Sequence, residues 1–322
     1  MKLAATLLLL APALVAEDLP LIRAMGTSLE TFEVELRLDA VDRKTPEGLA
    51  KSFARFEEEE HGVRRKFAEL VRDEHLALLR VFFAKDLVDK QAQAYDAVEQ
   101  RGFRSETKDV RIDGDKATAE LKRTYIVGGR EREDATELDL VHDAAGWWIR
   151  TMRVRGRDGK LVDRPLSPPP VLKRPPIPAP GAPDLSDAQA AMLSLRDHVL
   201  RFGALRDNAS LSLTEKYFDI IGAFYGPEVA KKARESRPTL PDAAPVALDF
   251  GAAAPRLSDL MRVEVLVVED ARGKRNPIGG ATFDLRAEDG KWKVVGEYHR
   301  NDPDAPPQAV SKNFALFFLV RR

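Results

Sequence analysis

The sequence predicts an α+β protein made of two related units, and three observations support this fold class. One strand–turn–strand motif occurs twice, from Leu138 through Gly146 to Ile149 and, 145 positions later, from Phe283 through Gly290 to Val294. Ahead of each copy, apolar residues recur every three or four positions and then every second position, which predicts helices followed by strands. A proline-rich segment separates the two copies. A repeat of this kind indicates duplicated domains.

The expected domain boundaries follow from this repeat and from composition. At 322 residues the chain is long enough for two domains that each bury a core. Nine prolines between 165 and 183 predict an extended linker, the alternative being a disordered loop inside one domain. We expect a signal peptide at 1–16, a first domain with an added N-terminal strand at 17–164, a linker at 165–184, a second domain at 185–302 and a tail at 303–322.

The N-terminus has the pattern of a secretory signal. Lys2 precedes an apolar run from Leu3 to Val15, and Ala16 is followed by two acidic residues. This pattern is typical of a signal peptide, with cleavage after Ala16 or after Ala13; an N-terminal core helix is the alternative. We expect an extracytoplasmic protein, periplasmic or secreted, in a bacterial envelope. Since the chain has no cysteine, disulfides, thiolate metal sites and a lipidated cysteine are excluded.

Charge and hydropathy limit the partners. The formal net charge is −1, so the chain has no long-range attraction to nucleic acid. The apolar run at 314–320 is too short to cross a membrane. Because an exposed run of this kind promotes aggregation, we expect it to pack on a domain or on a partner. A homo-oligomer formed through the sheets or through this tail is one such arrangement.

In the first unit, local signals predict a strand, then helices, then a sheet. Alternation from Thr31 to Asp39 predicts a half-buried strand. The hydroxyl of Thr45, the proline at 46 and the acid at 47 predict a helix start. We expect Gly62 to bend or break this helix. Further helical segments are predicted at 76–83 and 86–100, and hairpin turns at 113–115, 128–129 and 146.

The second unit repeats this order of elements. Ser186 and Asp187 predict a helix cap, and shorter helices are predicted at 213–225 and 227–235. A Pro/Ala-rich stretch at 238–255 is expected to replace the first hairpin. Strands are predicted at 260–268, 281–285 and 292–295.

Helices followed by a bent antiparallel sheet that closes on a Gly-Trp hairpin resemble the NTF2-like superfamily of cone-shaped α+β domains. The residues that carry the resemblance are Thr45-Pro46-Glu47, Asp113-Gly114-Asp115-Lys116-Ala117 and Gly146-Trp147-Trp148-Ile149 in the first unit, and Gly290-Lys291-Trp292-Lys293-Val294 in the second. The resemblance covers 45–155 and 185–300 and implies two tandem domains, each with N-terminal helices packed on a curved sheet around a conical pocket. Members include isomerases, dehydratases, epoxide hydrolases and proteins without catalysis, so the fold does not assign an activity.

Catalysis in such a cone needs an inward-facing acid and a group that holds an oxyanion. Strand parity turns Asp139 and Asp284 outward, and no inward acid is evident. The residues expected to line the pockets are Tyr125, His142, Trp147, Trp292 and Tyr298. Of these, Tyr125 and His142 come nearest to a catalytic pair, although such residues ordinarily belong to a core or a rim.

No metal or cofactor is expected. Glu57 and His61 lie one helical turn apart, but an acidic solvated face paired with Arg64 and Arg65 is the favoured interpretation. The chain has no HExxH, GxSxG, Walker or GxGxxG motif.

The sequence therefore favours an exported binding or envelope accessory protein without catalysis, for a small-molecule or protein ligand that it does not identify. One alternative is an isomerase, dehydratase or hydrolase with ketosteroid-isomerase-like chemistry. Another is a structural module that pairs through its sheets.

Overall fold

The computed structural model describes residues 19–96, 101–127, 129–155, 159–169, 177–238, 246–271, 274–300 and 305–319. The predicted signal peptide at 1–16 lies outside these ranges. Within them the protein is α+β, with helices packed on antiparallel sheets, as the sequence predicts. None of the helices in these ranges is both long enough and apolar enough to cross a membrane.

The first half contains a hairpin, two helices and a five-stranded sheet. Its strands are neighbours in chain order and all pair antiparallel. The elements are β1 (Ile22–Met25), β2 (Glu33–Leu36), α1 (Pro46–Phe82), α2 (Lys85–Asp96), β3 (Arg101–Asp113), β4 (Lys116–Val127), β5 (Arg130–Asp143), β6 (Gly146–Arg155) and β7 (Leu161–Asp163).

Helix α1 starts as predicted and runs without a break through Gly62. The Thr45 hydroxyl accepts a hydrogen bond from the Gly48 amide at 2.9 Å, and Pro46 is the first helical residue. The predicted break at Gly62 is wrong, since the helix continues through it. A glycine inside a helix costs only about 1 kcal/mol, and the buried Phe56 and Val63 hold the helix on both sides.

The second half repeats this plan with three helices and a six-stranded sheet. Its strands run in the order β13-β12-β11-β10-β8, and β9 also pairs with β10. The expected replacement of the first hairpin is wrong, because 246–250 forms a strand within the Pro/Ala-rich stretch. The elements are α3 (Ala188–Glu215), α4 (Tyr217–Phe224), α5 (Pro227–Glu235), β8 (Val246–Phe250), β9 (Ala254–Leu257), β10 (Leu260–Ala271), β11 (Lys274–Glu288), β12 (Lys291–Arg300) and β13 (Gln308–Ala309).

The repeated sequence motif has the same strand register in both sheets. In each copy a β-bulge interrupts the last hairpin at the same place, at Arg150 and at Val295. The pairs on either side of the bulge are Leu140–Ile149 and Asp139–Thr151 in the first sheet, and Leu285–Val294 and Asp284–Gly296 in the second. A bulge displaces the following side chains to the other face, so this shared irregularity is a specific likeness.

The starts of α1 and α3 also share their hydrogen bonds: the residues at the helix starts lie 142 positions apart, and the two motif tryptophans lie 145 apart. The amide of each motif tryptophan donates to a carbonyl two residues before the helix cap, which ties each Gly-Trp hairpin to the start of its own helix. The matching pairs are Trp147 to Arg43 and Trp292 to Leu185; Gly48 to Thr45 and Ala190 to Asp187; Asp42 to Ser52 and Asp184 to Ser194; and Lys44 to Asp42 and Ser186 to Asp184.

The two hydrophobic cores do not follow the two halves of the chain. The first sheet packs against the first part of α1 and also against α4 and α5, with Phe224 at 5.2 Å from Phe53 between ring centroids. The second sheet packs against the end of α1, α2 and the first part of α3. There the Ala84 amide donates to the Val294 carbonyl at 2.8 Å. The end of α1 and α2 therefore pack on the second sheet, whereas α4 and α5 pack in the core of the first sheet, a reciprocal exchange.

This exchange bears on the predicted domains. The helices of each half divide between both sheets. Helix α1 has 37 residues and at 1.5 Å per residue spans about 55 Å, which is long enough to reach from the first sheet to the second. The predicted boundaries at 165 and 184 separate the two repeated units of the sequence, and as domain boundaries they stay a prediction. Residues 165–169 and 177–183 contain no helix or strand, and 170–176 lie outside the described residues.

Candidate functional site

An ion pair lies inside the first core. Arg123 on β4 shares the inward face of the buried Ala119 and Leu121, and Glu57 lies on α1 one turn after Phe53. The guanidinium donates to both carboxylate oxygens, with Nε at 3.0 Å from Oε2. The Ser105 hydroxyl donates to the same Oε2 at 2.8 Å. The two charged side chains are 13% and 8% exposed, so this is a buried polar cluster.

Tyr225 from the second half lies close to this cluster. Burial raises the pKa of Tyr225, and the Glu57 carboxylate raises it further, so the phenol keeps its proton at neutral pH. A carboxylate, a guanidinium and the Ser105 hydroxyl thus meet in the first core, and Tyr225 is near enough for its pKa to respond to Glu57. Both oxygens of Glu57 are already engaged by Arg123 and Ser105, which leaves this acid positioned to hold β4 against α1.

The sequence contained a signal for this cluster that was missed. Strand parity identifies inward residues only on strands, whereas Glu57 lies on a helix. It follows Leu49 and Phe53 at four-residue spacing, which places all three on one helical face. Arg123 likewise shares the parity of Leu121. The expectation that no acid points inward is therefore wrong.

The second core contains another inward acid, Glu297 on β12. The β-bulge at Val295 places Glu297 opposite Phe283 and turns Tyr298 outward, opposite Thr282. The predicted pocket position of Tyr298 is wrong for this reason; its ring lies 5.8 Å from the Arg262 guanidinium on the outer face. The Glu297 side chain is fully buried and accepts hydrogen bonds from His299 Nε2 at 2.6 Å and from the Ala315 amide at 2.8 Å.

A buried histidine and a buried glutamine complete the polar groups of the second core. His75 on α1 contacts the Phe314 carbonyl through Nε2 at 2.9 Å and the Tyr95 hydroxyl through Nδ1 at 2.6 Å. Burial lowers the pKa of His75 to about 4, so the ring is neutral at neutral pH. Gln91 on α2 accepts hydrogen bonds from the amides of Asn313 and Phe314.

An open groove of about 600 Å³ lies beside the first Gly-Trp hairpin, lined by residues 39–44, His142 and residues 144–146. His142 is exposed at its edge, with its ring 5.1 Å from Trp147. The Arg43 guanidinium lies 4.6 Å from the Trp148 ring. Trp148 Nε1 donates to Asp143, and this hydrogen bond lowers the pKa of Asp143.

The two residues nearest to a predicted catalytic pair are not brought together. On β5, Arg132 is the partner of Tyr125, and His142 lies ten positions further along. At 3.3 Å per residue these positions are about 33 Å apart. Trp147 is buried in the first core and Trp292 packs half-buried against the second, where both act as anchors.

The two motif aspartates face outward, as strand parity predicts. Asp139 pairs with Arg153 across the first sheet. Asp284 lies on the face opposite Phe283 and Leu285, yet it is buried because Arg256 and Arg262 both bind its carboxylate. These ion pairs stabilise the outer faces of the sheets.

Within the described ranges, no group of three or more histidines and acids is arranged to hold a metal ion. His61 stacks on Phe103 at 4.9 Å, and Glu60 pairs with Arg64 as expected. Arg65 pairs with Glu69 instead, and Glu57 faces the core rather than solvent.

Comparisons with known proteins give a likeness among solved structures and none among family models or curated proteins. No protein-family model and no curated protein matches the chain. Among solved structures it is similar to an "Ntf2 like protein involved in plasmid conjugation", at 9% sequence identity over 71% of this chain and 87% of that chain, with a TM-score of 0.14. At this TM-score the likeness carries no argument about fold or function.

Proposed function

We propose that this chain is a pair of NTF2-like domains that arose by duplication, and that it acts outside the cytoplasm by binding, without catalysis. The duplication is supported by the matching bulges and by the hydrogen bonds that recur 142 positions apart at the helix starts. Export is supported by the basic, apolar and small-residue order of residues 1–16.

One observation carries the proposal of binding without catalysis: the inward faces of both sheets are covered by the chain itself. The first sheet is covered by α1, α4 and α5, and the second by α1, α2, α3 and the C-terminal segment. The inward acids are engaged by groups of the protein, Glu57 by Arg123 and Ser105, and Glu297 by His299 and the Ala315 amide. An enzyme of the ketosteroid-isomerase type needs an acid that faces its substrate.

An isomerase-like enzyme is a second candidate because of one specific observation. Glu57 lies inside the first core together with the hydroxyls of Ser105 and Tyr225, the group types that such chemistry uses. The bidentate contact with Arg123 argues against it, since a proton-transfer base needs a lone pair directed at the substrate.

A module that pairs through its sheets is less well supported. The outer face of the first sheet carries ion pairs such as Lys122–Glu133 and Arg153–Glu137, and charged faces of this kind favour contact with water. The apolar tail residues 314, 315, 317 and 318 are already buried within the chain.

An enzyme assay on the mature protein tests the absence of catalysis. We expect that isomerisation of a β,γ-unsaturated ketosteroid proceeds no faster with the wild type than with Glu57→Gln. Glu60→Gln is the matched control, because Glu60 lies on the same helix, is only partly buried and pairs with Arg64 rather than with the core. Turnover that Glu57→Gln abolishes and Glu60→Gln retains would establish the enzyme instead.

A reporter fusion tests export. Residues 1–18 joined to an alkaline phosphatase, which is active only where its disulfides form, should give activity in a bacterial envelope. A fusion in which Leu8 and Leu9 are replaced by arginine should lose it. Equal activity of the two fusions, or none from either, would contradict export.

A further inference from the structure

The C-terminal segment 313–318 is held in the second core by contacts of the kind that hold a bound peptide. It follows β13, a strand of only two residues, and lies against side chains of α1, α2, β11 and β12. Residues 314, 315, 317 and 318 are 0–5% exposed.

Side chains from three elements bind the backbone of this segment. Gln91 on α2 accepts from two successive amides, those of Asn313 and Phe314. His75 on α1 contacts the Phe314 carbonyl, and Glu297 on β12 accepts from the Ala315 amide. Backbone contacts of this kind recognise the path of a chain and leave its side-chain identity to the surrounding pockets.

Aromatic side chains of the second core form the pockets that receive the side chains of the segment. The Phe318 ring stacks on Phe283 with centroids 5.6 Å apart and planes 4° apart. Phe314 lies 6.1 Å from Phe83. The segment also has two residues in the left-handed region, Asn313 and Ala315, both at φ 62°. For alanine this conformation is strained, so the anchors impose it on the chain.

The first core provides an internal comparison. With the offsets of 142 for helices and 145 for the last strands, Ala233 stands where the second core has Gln91, Tyr217 stands in place of His75, and Met152 stands in place of Glu297. Among the described residues, these polar anchors therefore occur in the core that holds segment 313–318 and not at the equivalent positions of the first core. Since the fold forms without them in the first core, their role is specific to holding that segment.

We propose that the second core contains a binding site for a short aromatic peptide segment, occupied in this structure by the chain's own residues 313–318. A partner segment with the same chemistry, aromatic side chains at the positions of Phe314 and Phe318 and free amides before them, binds there when the terminal segment leaves. The inference deepens the proposed binding function by naming its ligand class, and it rests on that function.

A shortened chain that ends at Lys312 tests the proposal. A fluorescein-labelled peptide of residues 311–322 should bind to it in fluorescence anisotropy. The full-length chain should bind the peptide at least about 100-fold more weakly, because the tethered segment competes at an effective concentration in the millimolar range. A peptide with serine in place of Phe314 and Phe318 should not bind.

Two variants of α2 give the matched comparison. Gln91→Ala in the shortened chain leaves two peptide amides without a partner and should weaken binding by about 10-fold or more. Gln93→Ala, on the exposed face of the same helix, should leave the affinity unchanged. No binding to a folded shortened chain, or equal affinity of the two variants, overturns the proposal.

Hydrogen exchange on the full-length chain covers the case in which the shortened chain does not fold. Gln91→Ala should speed exchange of the amides at 313–318 by about 10-fold or more while β10 and β11 keep their protection. Exchange of this segment only together with the whole second core would overturn the proposal. An enzyme found in the assay above would remove the proposed function but would leave these binding results standing.

Discussion

The two cores have the same backbone plan and different interiors. Glu57 and Arg123 form the buried ion pair of the first core, and the equivalent positions of the second core are Val199 and Val267, both buried. At another pair of equivalent positions the charge is in the second core instead: Met152 of the first core corresponds to the acid Glu297 of the second. Apolar and polar pairs are thus interchangeable at these positions, so the fold itself does not require the buried charges.

The largest expected effect comes from breaking the ion pair of the first core. Arg123→Ala leaves the Glu57 carboxylate buried without its partner and should lower the free energy of unfolding by about 3–5 kcal/mol. The double variant Glu57→Val with Arg123→Val copies the second core and should regain most of that loss. Urea unfolding curves of the two variants measure the difference; a double variant as unstable as Arg123→Ala would show that the cores are not interchangeable.

The next effect tests the reciprocal exchange of helices. Leu79 lies in the first half of the chain but is buried in the second core, and its equivalent Ile221 is buried in the first core. Leu79→Ala and Ile221→Ala should each cost about 2–5 kcal/mol. In hydrogen exchange, Leu79→Ala should reduce the protection of β10–β12 most, and Ile221→Ala that of β4–β6. Loss of protection in the sheet of the same half would contradict the exchange.

The elements with strong local signals could be predicted from the sequence. The cap at Thr45, the hairpins and the outward parity of Asp139 and Asp284 depend on neighbours in the chain and are confirmed. The Gly62 break failed because packing along the helix outweighed a local preference. The predicted inward face of Tyr298 is wrong because a single bulged residue reverses strand parity, and no local sequence pattern marks the bulge.

The exchanged helices and the ion pair could not be derived from periodicity. Both depend on contacts between residues far apart in the chain, such as Glu57 with Arg123 and Phe53 with Phe224. The sequence shows that Arg123 lies on the apolar face of a strand and Glu57 on the apolar face of a helix. It does not show that the two residues are partners. Pairing the two required the fold first.

A smaller effect concerns pH and distinguishes the second core from the first. His75 is neutral when folded, with a pKa of about 4, against an ordinary value of 6.5, and it faces Tyr95 on α2 and Arg206 on α3. As pH falls, His75 binds a proton at a higher pH in the unfolded chain than in the folded chain. The contribution of His75 to the free energy of unfolding is therefore complete above pH 6.5 and is lost progressively down to pH 4. The loss should reach about 3 kcal/mol at 1.36 kcal/mol per pKa unit.

Denaturant unfolding between pH 4 and 7 measures this effect against a control. His75→Gln removes the titrating ring, so its free energy of unfolding should change less between pH 4 and pH 7 than that of the wild type. His142→Gln, at an exposed position, should retain the wild-type slope. An equal slope for His75→Gln and the wild type would contradict the assignment.

The smallest expected effect compares the two helix caps. Thr45→Ala and Asp187→Ala each remove one hydrogen bond to the first turn and should cost about 1 kcal/mol. Because the caps are equivalent, the two losses in thermal unfolding should agree. A loss confined to one cap would show that only one helix start depends on it.

The central claim is that α1 starts on the first sheet and ends on the second, and a distance measurement tests it directly. The chain has no cysteine, so spin labels attach only to the pairs of cysteines that are introduced for the measurement. The labels at Lys85 and Lys291 should lie about 20 Å apart, since Ala84 binds Val294 and three residues of strand span about 10 Å. The labels at Lys85 and Ala144 should lie about 55 Å apart, the length of α1. A distance between Lys85 and Ala144 below about 30 Å, with Lys85 and Lys291 the more distant pair, would contradict the exchange.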